Sequence, residues 1–161
     1  MRVISNSSPL INFTVLGKLM LLQTLYGTIV IPDAVYQEVI VSGRDQPGRA
    51  EVAQADWIVR EAVSNRIAVA ALHTLGRGEA EAIVLGVENP GSLLILDDRR
   101  GRLAAANMGV NIIGTLGVLL IAKRRGLIAA LAPEIETLQT QVGFRLRADL
   151  KTRALQEAGE V

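Results

Sequence analysis

Four apolar residues, Leu93, Leu94, Ile95 and Leu96, end abruptly at two adjacent carboxylates, Asp97 and Asp98, and Arg99, Arg100 and Arg102 follow at once. No other stretch limits the possible folds as tightly. A short apolar run preceded by turn residues, here Asn89, Pro90 and Gly91, reads as a buried strand. Ligands of open α/β sheets sit outside the carboxyl ends of the strands, and Asp97 and Asp98 stand at such an end. Two neighbouring carboxylates repel and are costly unless a cation or arginines neutralise them. The plainer reading is an Asp N-cap followed by arginines on a helix surface. Taken alone, the stretch leaves both readings open.

The flanking chain supplies the context. Residues 2–5, 28–31, 57–59 and 110–113 read as further strands, the second from its β-branched run. Helices are expected over residues 10–22 (broken at Gly17), 34–41, 50–55, 79–88, 103–107, 115–123, 133–141 and 147–158. Ser7 or Ser8 can cap the first helix and Thr115 the apolar one. Residues 42–48 carry Gly, Asp and Pro and read as an exposed loop. Strands alternating with helices predict an α/β sandwich with a parallel sheet, the helices serving as crossovers. With 161 residues the chain reads as one domain, 1–161, with a helical tail at about 145–161. No repeat or linker divides it.

Composition narrows the function classes. No apolar run reaches the roughly 18 residues that span a bilayer, and no signal-peptide pattern opens the chain. There are no cysteines. Thiolate metal sites are thereby excluded, and the expected location is cytoplasmic. Seventeen basic residues face sixteen acidic ones, a net charge of +1, so any nucleic-acid-binding surface must be local. Aromatics make up 3% of the chain, which argues against a base-stacking platform.

Several polar residues fall at strand ends or open the following helix. They are Asn6 after the first strand, Glu38 on the helix after the second, Glu79 at the start of the central helix, and Asp97 with Asp98. On a parallel sheet these converge on one side. Oxygen-only donors select Mg²⁺ or Mn²⁺ rather than zinc. Such sites polarise phosphoryl oxygens and generate a nucleophile from water, the chemistry of phosphodiester cleavage. Each residue also has a bland reading. Glu38 can face solvent, and Glu79 is favoured at any helix N-terminus. Glu81 lies on a different helix face and reads as structural or solvated. Glu88 reads as surface. His73, the only histidine, has no zinc-spaced partner.

Five stretches together carry a resemblance. They are Val3-Ile-Ser-Asn-Ser-Ser-Pro-Leu-Ile11, Ile31-Pro-Asp-Ala-Val-Tyr-Gln-Glu-Val39, Gly76-Arg-Gly-Glu-Ala-Glu-Ala-Ile83, Leu94-Ile-Leu-Asp-Asp-Arg-Arg-Gly-Arg102 and Ile113-Gly-Thr-Leu-Gly-Val118. In this order they resemble the PIN-domain proteins, and within them the VapC-like toxin branch, over residues 3–144. The resemblance implies a three-layer α/β sandwich with a mainly parallel central sheet and an acidic pocket for Mg²⁺ or Mn²⁺. It implies a metal-dependent endoribonuclease, the toxin of a type II toxin–antitoxin pair, commonly a homodimer inhibited by a small antitoxin. Family roles carry over to Glu38, Glu79, Asp97 and Asp98 as the acidic set. Asp98 is slightly favoured over Asp97 as the final carboxylate. Ser8 matches the hydroxyl residue that steadies the first acidic position.

One departure matters. Many PIN proteins place an Asp at the end of the first strand, and this chain has Asn6. An amide oxygen can still ligate Mg²⁺, but the site loses one negative charge. The expectation is a weakened or altered nuclease. The competing reading is a PIN-fold binding module that has lost catalysis and acts through dimerisation or antitoxin binding. A nucleotide-binding flavodoxin-like domain is a third, but residues 6–9 make a poor phosphate loop. RNA contacts would fall to Arg99, Arg100 and Arg102, with Arg44, Arg49 and Arg77 on nearby loops. A homodimer is expected from apolar residues on several faces of the helical stretches 16–22 and 115–122.

Overall fold

The computed structural model describes residues 1–161. Five short strands, β1 (Val3–Ser5), β2 (Ile29–Pro32), β3 (Ile58–Glu61), β4 (Leu93–Ile95) and β5 (Asn111–Ile113), form one sheet in the order β3-β2-β1-β4-β5. Every pairing is parallel, and the register aligns Ile4 with Val30 on one side and with Leu94 on the other. The central strands are apolar on both faces because both faces are covered. Val3, Ile29, Ile31 and Ile95 point into the larger core, with Phe13, Leu22, Val35, Leu119 and Leu131. Ile4, Val30 and Leu94 point the other way, against Ile83, Leu85 and Ala105. The edge strands carry the polar residues Arg60, Glu61 and Asn111.

Helices α1 (Ser7–Val15), α2 (Met20–Tyr26), α3 (Asp33–Tyr36) and α4 (Arg49–Gln54) connect the first strands. Helices α5 (Arg66–Ala71), α6 (Arg77–Glu88) and α7 (Arg99–Asn107) lie on the smaller core. Helices α8 (Thr115–Arg124), α9 (Ala132–Gln141) and α10 (Ala148–Glu157) close the larger one. The architecture is the expected three-layer α/β sandwich, with a central sheet that is parallel throughout. From β1 the chain winds outward through β2 to β3, then returns to β4 on the other side of β1. The strand order therefore reverses between β1 and β4, and the crevice at their carboxyl ends is the usual ligand position of such sheets. Asn6 lies there, its N–H donating to the Ile95 carbonyl at 3.1 Å.

Three local features depart from the sequence pattern. Helix α5 forms in a stretch where the patterning assigns no element; it buries none of its residues, so no amphipathic stripe announces it. Its start is marked only by Asn65, whose side chain accepts from the Ala68 N–H at 3.0 Å. Helix α3 widens into a π-helical turn over Gln37–Val41, a distortion frequent at functional sites. Helix α7 begins at Arg99 and not at residue 103, because Asp98 is its N-cap. The plainer reading of the Asp-Asp-Arg-Arg stretch is thus physically present, alongside the sheet-end position.

The apolar stretches that motivated the homodimer expectation are largely absorbed internally. Leu19, Leu21, Leu22, Val118, Leu119 and Ala122 are buried in the larger core, although Met20 is 60% exposed. The C-terminal tail packs on its own chain. Ala154 is buried in the same core. Glu160 accepts from the Leu131 and Ala132 N–H groups at 2.6 and 3.0 Å, at the start of α9. Those bonds hold its carboxyl below the ordinary glutamate pKa. A depressed pKa gives stability that is present above the ordinary value and lost as pH falls through the depressed one. Glu160→Ala is therefore expected to lower the Tm at pH 7. The gap from the native chain should close as the pH is taken below the glutamate range, measured by thermal melts across pH.

Candidate functional site at the strand carboxyl ends

Three helices begin around the crevice, and each donates a backbone N–H to a carboxylate. Gly78 N–H, in the first turn of α6, donates to Glu38 Oε1 at 3.0 Å. Gly101 N–H of α7 donates to Asp98 Oδ2 at 2.9 Å. Thr115 N–H of α8 donates to Asp97 Oδ1 at 2.7 Å. First-turn N–H groups have no intrahelical partner, and the helix dipole makes that end favourable for negative charge. Each carboxylate is thus held by the start of a helix.

Glycines give these carboxylates room. A Cβ on Gly78 would stand 2.5 Å from Glu38 Oε1 and 2.7 Å from Oε2. A Cβ on Gly101 would stand 3.2 Å from Glu79 Oε2, and one on Gly114 3.0 Å from Asp97 Oδ1. Ser7 Oγ donates to Glu38 Oε2 at 2.5 Å, tying the start of α1 to the π turn.

The electrostatics separate the acids. Burial first, then the charge and hydrogen bonding of Asp98, then the charge of Glu38, push the Glu79 carboxyl up to about 7. Glu79 is thus close enough to Asp98 and Glu38 for their charges to oppose its ionisation. Asp97 is engaged elsewhere. It accepts from Thr115 Oγ1 at 2.5 Å and from Asn12 Nδ2 at 3.2 Å, besides the Thr115 N–H. Burial raises its pKa, and the Thr115 bonds, the Arg102 charge and the Asn12 bond oppose that rise.

The structure thus places Glu38, Glu79 and Asp98 around the starts of α6 and α7, without grouping them as a ready ion cage, and turns Asp97 toward α8. Asn6 is buried at the end of β1, and its Oδ1 has no hydrogen-bond partner. One expectation is corrected. The hydroxyl that reaches an acid of the site is that of Ser7, because the first turn of α1 buries Ser7 and leaves Ser8 exposed to solvent. Arg102 is half-buried, and its Nη1 donates to the Leu96 carbonyl at 3.0 Å. Arg99 and Arg100 are exposed beside Asp98, and His73 is exposed away from any acidic partner. Sequence patterning missed Ser7, Asn12 and the glycine seats. Asn12 is a polar residue beside Leu10, Ile11 and Phe13, but its partner Asp97 lies 85 residues away, so no local pattern pairs them.

The donor chemistry suits an oxygen-seeking divalent cation. Asn6 Oδ1 is a buried acceptor without a donor, the kind of orphan that an ion or water satisfies. Glu79 would lose its raised pKa beside a cation. As they stand, no three His, Cys, Asp or Glu side chains are grouped closely enough to hold one ion. Glu38 and Asp98 lean on helix N–H groups instead.

A family model described as a PIN domain matches residues 2–160. No curated protein and no solved structure matches.

Two outcomes follow from the geometry. Gly78→Ala must displace the Glu38 carboxylate. A modest loss of stability is expected, since a bond to a charged acceptor contributes about 1.5–3 kcal/mol and alanine's helix preference, at most about 1 kcal/mol in a helix interior, offsets part of it. The direct sign is detachment of Glu38 from the Gly78 N–H, read by the amide chemical shift. The second concerns Glu79. A carboxyl raised in the folded state gives stability that is full below the ordinary glutamate pKa and lost as pH rises through about 7. Glu79→Gln should therefore melt close to the native chain at low pH and above it at pH 8.

Proposed function

The chain belongs to the PIN-domain family, and on that footing we propose that it is a divalent-metal-dependent endoribonuclease, the VapC-like toxin of a type II toxin–antitoxin pair. PIN domains are typically nucleases. The observation that carries the catalytic part is the placement of Glu38, Glu79 and Asp98 around the starts of α6 and α7, on the carboxyl-end side of the sheet's switch point. Asn6 Oδ1 stands on the same side without a donor. The toxin role is supported by the order of the five motifs along the chain.

When bound, Mg²⁺ or Mn²⁺ would polarise a phosphoryl oxygen and acidify a water for attack on the phosphodiester. The residues to hold it are Asp98, Glu79, Glu38 and Asn6. Glu38 is pre-aimed by Ser7 and the Gly78 N–H, and Asp98 by the Gly101 N–H. Glu79 carries a proton over much of the range below pH 7 and becomes the adjustable charge of the set. Asp97 positions rather than ligates, fixing the start of α8 to the end of β4 through Thr115 and Asn12. Arg99 and Arg100, exposed at the start of α7, suit RNA phosphates, which position a substrate without reading its sequence. A small antitoxin and a second copy of the chain are the proposed protein partners. No helix is long and apolar enough to cross a membrane.

Asn6 favours a second reading, a binding module in which catalysis is lost. With an amide in place of a carboxylate the site carries one charge fewer. The test is RNA cleavage with Mg²⁺ or Mn²⁺ on a pool of structured RNAs. Asp98→Ala is expected to reduce cleavage by more than the roughly 10–100-fold typical of losing an outer-sphere partner. Asn6→Asp is expected to raise it. If neither native protein nor folded Asn6→Asp cuts RNA, the binding-module reading replaces the nuclease.

A further inference from the structure

Glu81 is a buried acid outside the site. Its side chain is 1% exposed. It stands two residues after Glu79 on α6, about 200° around the helix, and so faces a different neighbour. That neighbour is α3. Glu81 Oε1 accepts from the Ala34 N–H at 2.9 Å. Its Oε2 lies 3.1 Å from Arg66 Nη2 and 3.5 Å from Arg77 Nε. One carboxylate therefore joins the first turns of α3, α5 and α6.

Ala34 and Glu38 are four residues apart, about one helical turn. Helix α3 and its π continuation are tied to α6 at both points. Glu81 of α6 reaches Ala34, and Glu38 reaches back to the Gly78 N–H of α6. The first tie is buried and charged, and the second lies in the site. The place of Ala34 on α6 thus sets where Glu38 arrives.

We propose that Glu81 is a positioning residue for the acidic site: its buried clamp on Ala34 sets α3 on α6 so that Glu38 meets the Gly78 N–H beside Glu79. It touches no reacting group. The effect on metal binding rests on the proposed nuclease function, whereas the effect on Glu38 does not.

The Gly78 N–H reports the clamp directly, because a first-turn N–H has no intrahelical partner and here only Glu38 accepts from it. The experiment is amide hydrogen exchange by NMR on the full chain, with Mn²⁺ binding measured in parallel. The reference amide is Leu96, bonded to the Ile113 carbonyl at 2.9 Å in the sheet. In Glu81→Ala, exchange at Gly78 should quicken about tenfold while Leu96 stays unchanged, the mark of a local opening. Mn²⁺ affinity should fall by about tenfold, the scale of an outer-sphere loss. Glu81→Asp, which keeps the charge near the arginines but withdraws it from Ala34, should behave alike. Glu81→Gln retains an acceptor for Ala34 and should stay near native in both measurements.

Unchanged protection at Gly78 in both Glu81→Ala and Glu81→Asp would overturn the proposal. So would parallel loss at Gly78 and Leu96, which would make Glu81 a general support of the fold. If Glu81→Ala does not fold, Glu81→Asp and Glu81→Gln decide by the same comparison. If the native chain binds no Mn²⁺, the nuclease reading falls, and exchange at Gly78 alone decides the role of Glu81.

Discussion

A carboxylate accepting the unpaired N–H groups at the start of a helix is the interaction that recurs throughout this protein. Glu81 serves α3, Glu38 serves α6, Asp98 serves α7, Asp97 serves α8 and Glu160 serves α9. Glu88 accepts from Ser64 and Asn65 just ahead of α5. Most of these bonds span long sequence separations, so each one is also a tertiary fastening. A helix N-terminus needs an acceptor and carries partial positive charge. Supplying both from a distant acid satisfies local and global structure together. Parallel α/β topology then does the rest. Helices following parallel strands start at the strands' carboxyl ends, so the acids that serve α6, α7 and α8 are gathered on one side of the sheet. The acidic site is a consequence of how the fold closes its helices.

Gathering acids carries an electrostatic cost, and the structure distributes it unevenly. Glu38, Asp97 and Asp98 each receive a backbone N–H. No such bond reaches Glu79, and burial with the charges of Asp98 and Glu38 raises its pKa to about 7. Asp97 and Asp98 are adjacent in sequence yet differ in environment. Asp97 turns inward to Thr115 and Asn12, where hydrogen bonds oppose the effect of burial. Asp98 stays at the surface as a helix cap. Successive residues leaving a strand point in opposite directions, so an Asp-Asp pair at a strand end supplies one acid to the interior and one to the crevice.

The fold was legible because its signals are local. Apolar runs such as residues 93–96 and 28–31 mark strands, and turn residues punctuate them. The gathering of Asn6, Glu38, Glu79 and Asp98 on one side of the sheet was expected from parallel topology, whereas the strand order, with β1 beside β4, has no local signal. What could not be read depends on distance or on small geometric shifts. Helix α5 buries none of its residues and so leaves no periodic trace. The π turn at Gln37–Val41 inserts no unusual residue type. The exchange of Ser8 for Ser7 is a matter of about 100° around a helix, beyond what spacing resolves. Glu81 read as structural or solvated. Its partners Ala34 and Arg66 lie 47 and 15 residues away, so its burial was invisible.

The glycines of the motifs can now be given a physical reason. Gly78 and Gly101 lie in the first turns of helices, and glycine is the poorest helix former after proline. Neither has positive φ, so neither is demanded by the backbone. The place a Cβ would take is crowded by Glu38 at Gly78, by Leu96 and Glu79 at Gly101, and at the Gly114 cap by Arg102 and Asp97, so an acid of the strand ends is among the neighbours each time. Arg-Gly-Glu, Asp-Asp-Arg-Arg-Gly and Gly-Thr are therefore parts of one device. Each sets a glycine where an acid from elsewhere in the chain must approach the start of a helix. The paired residues are far apart in sequence, which is why the pieces look unremarkable singly. Only the closed sheet, with β1 beside β4, brings each acid to its seat.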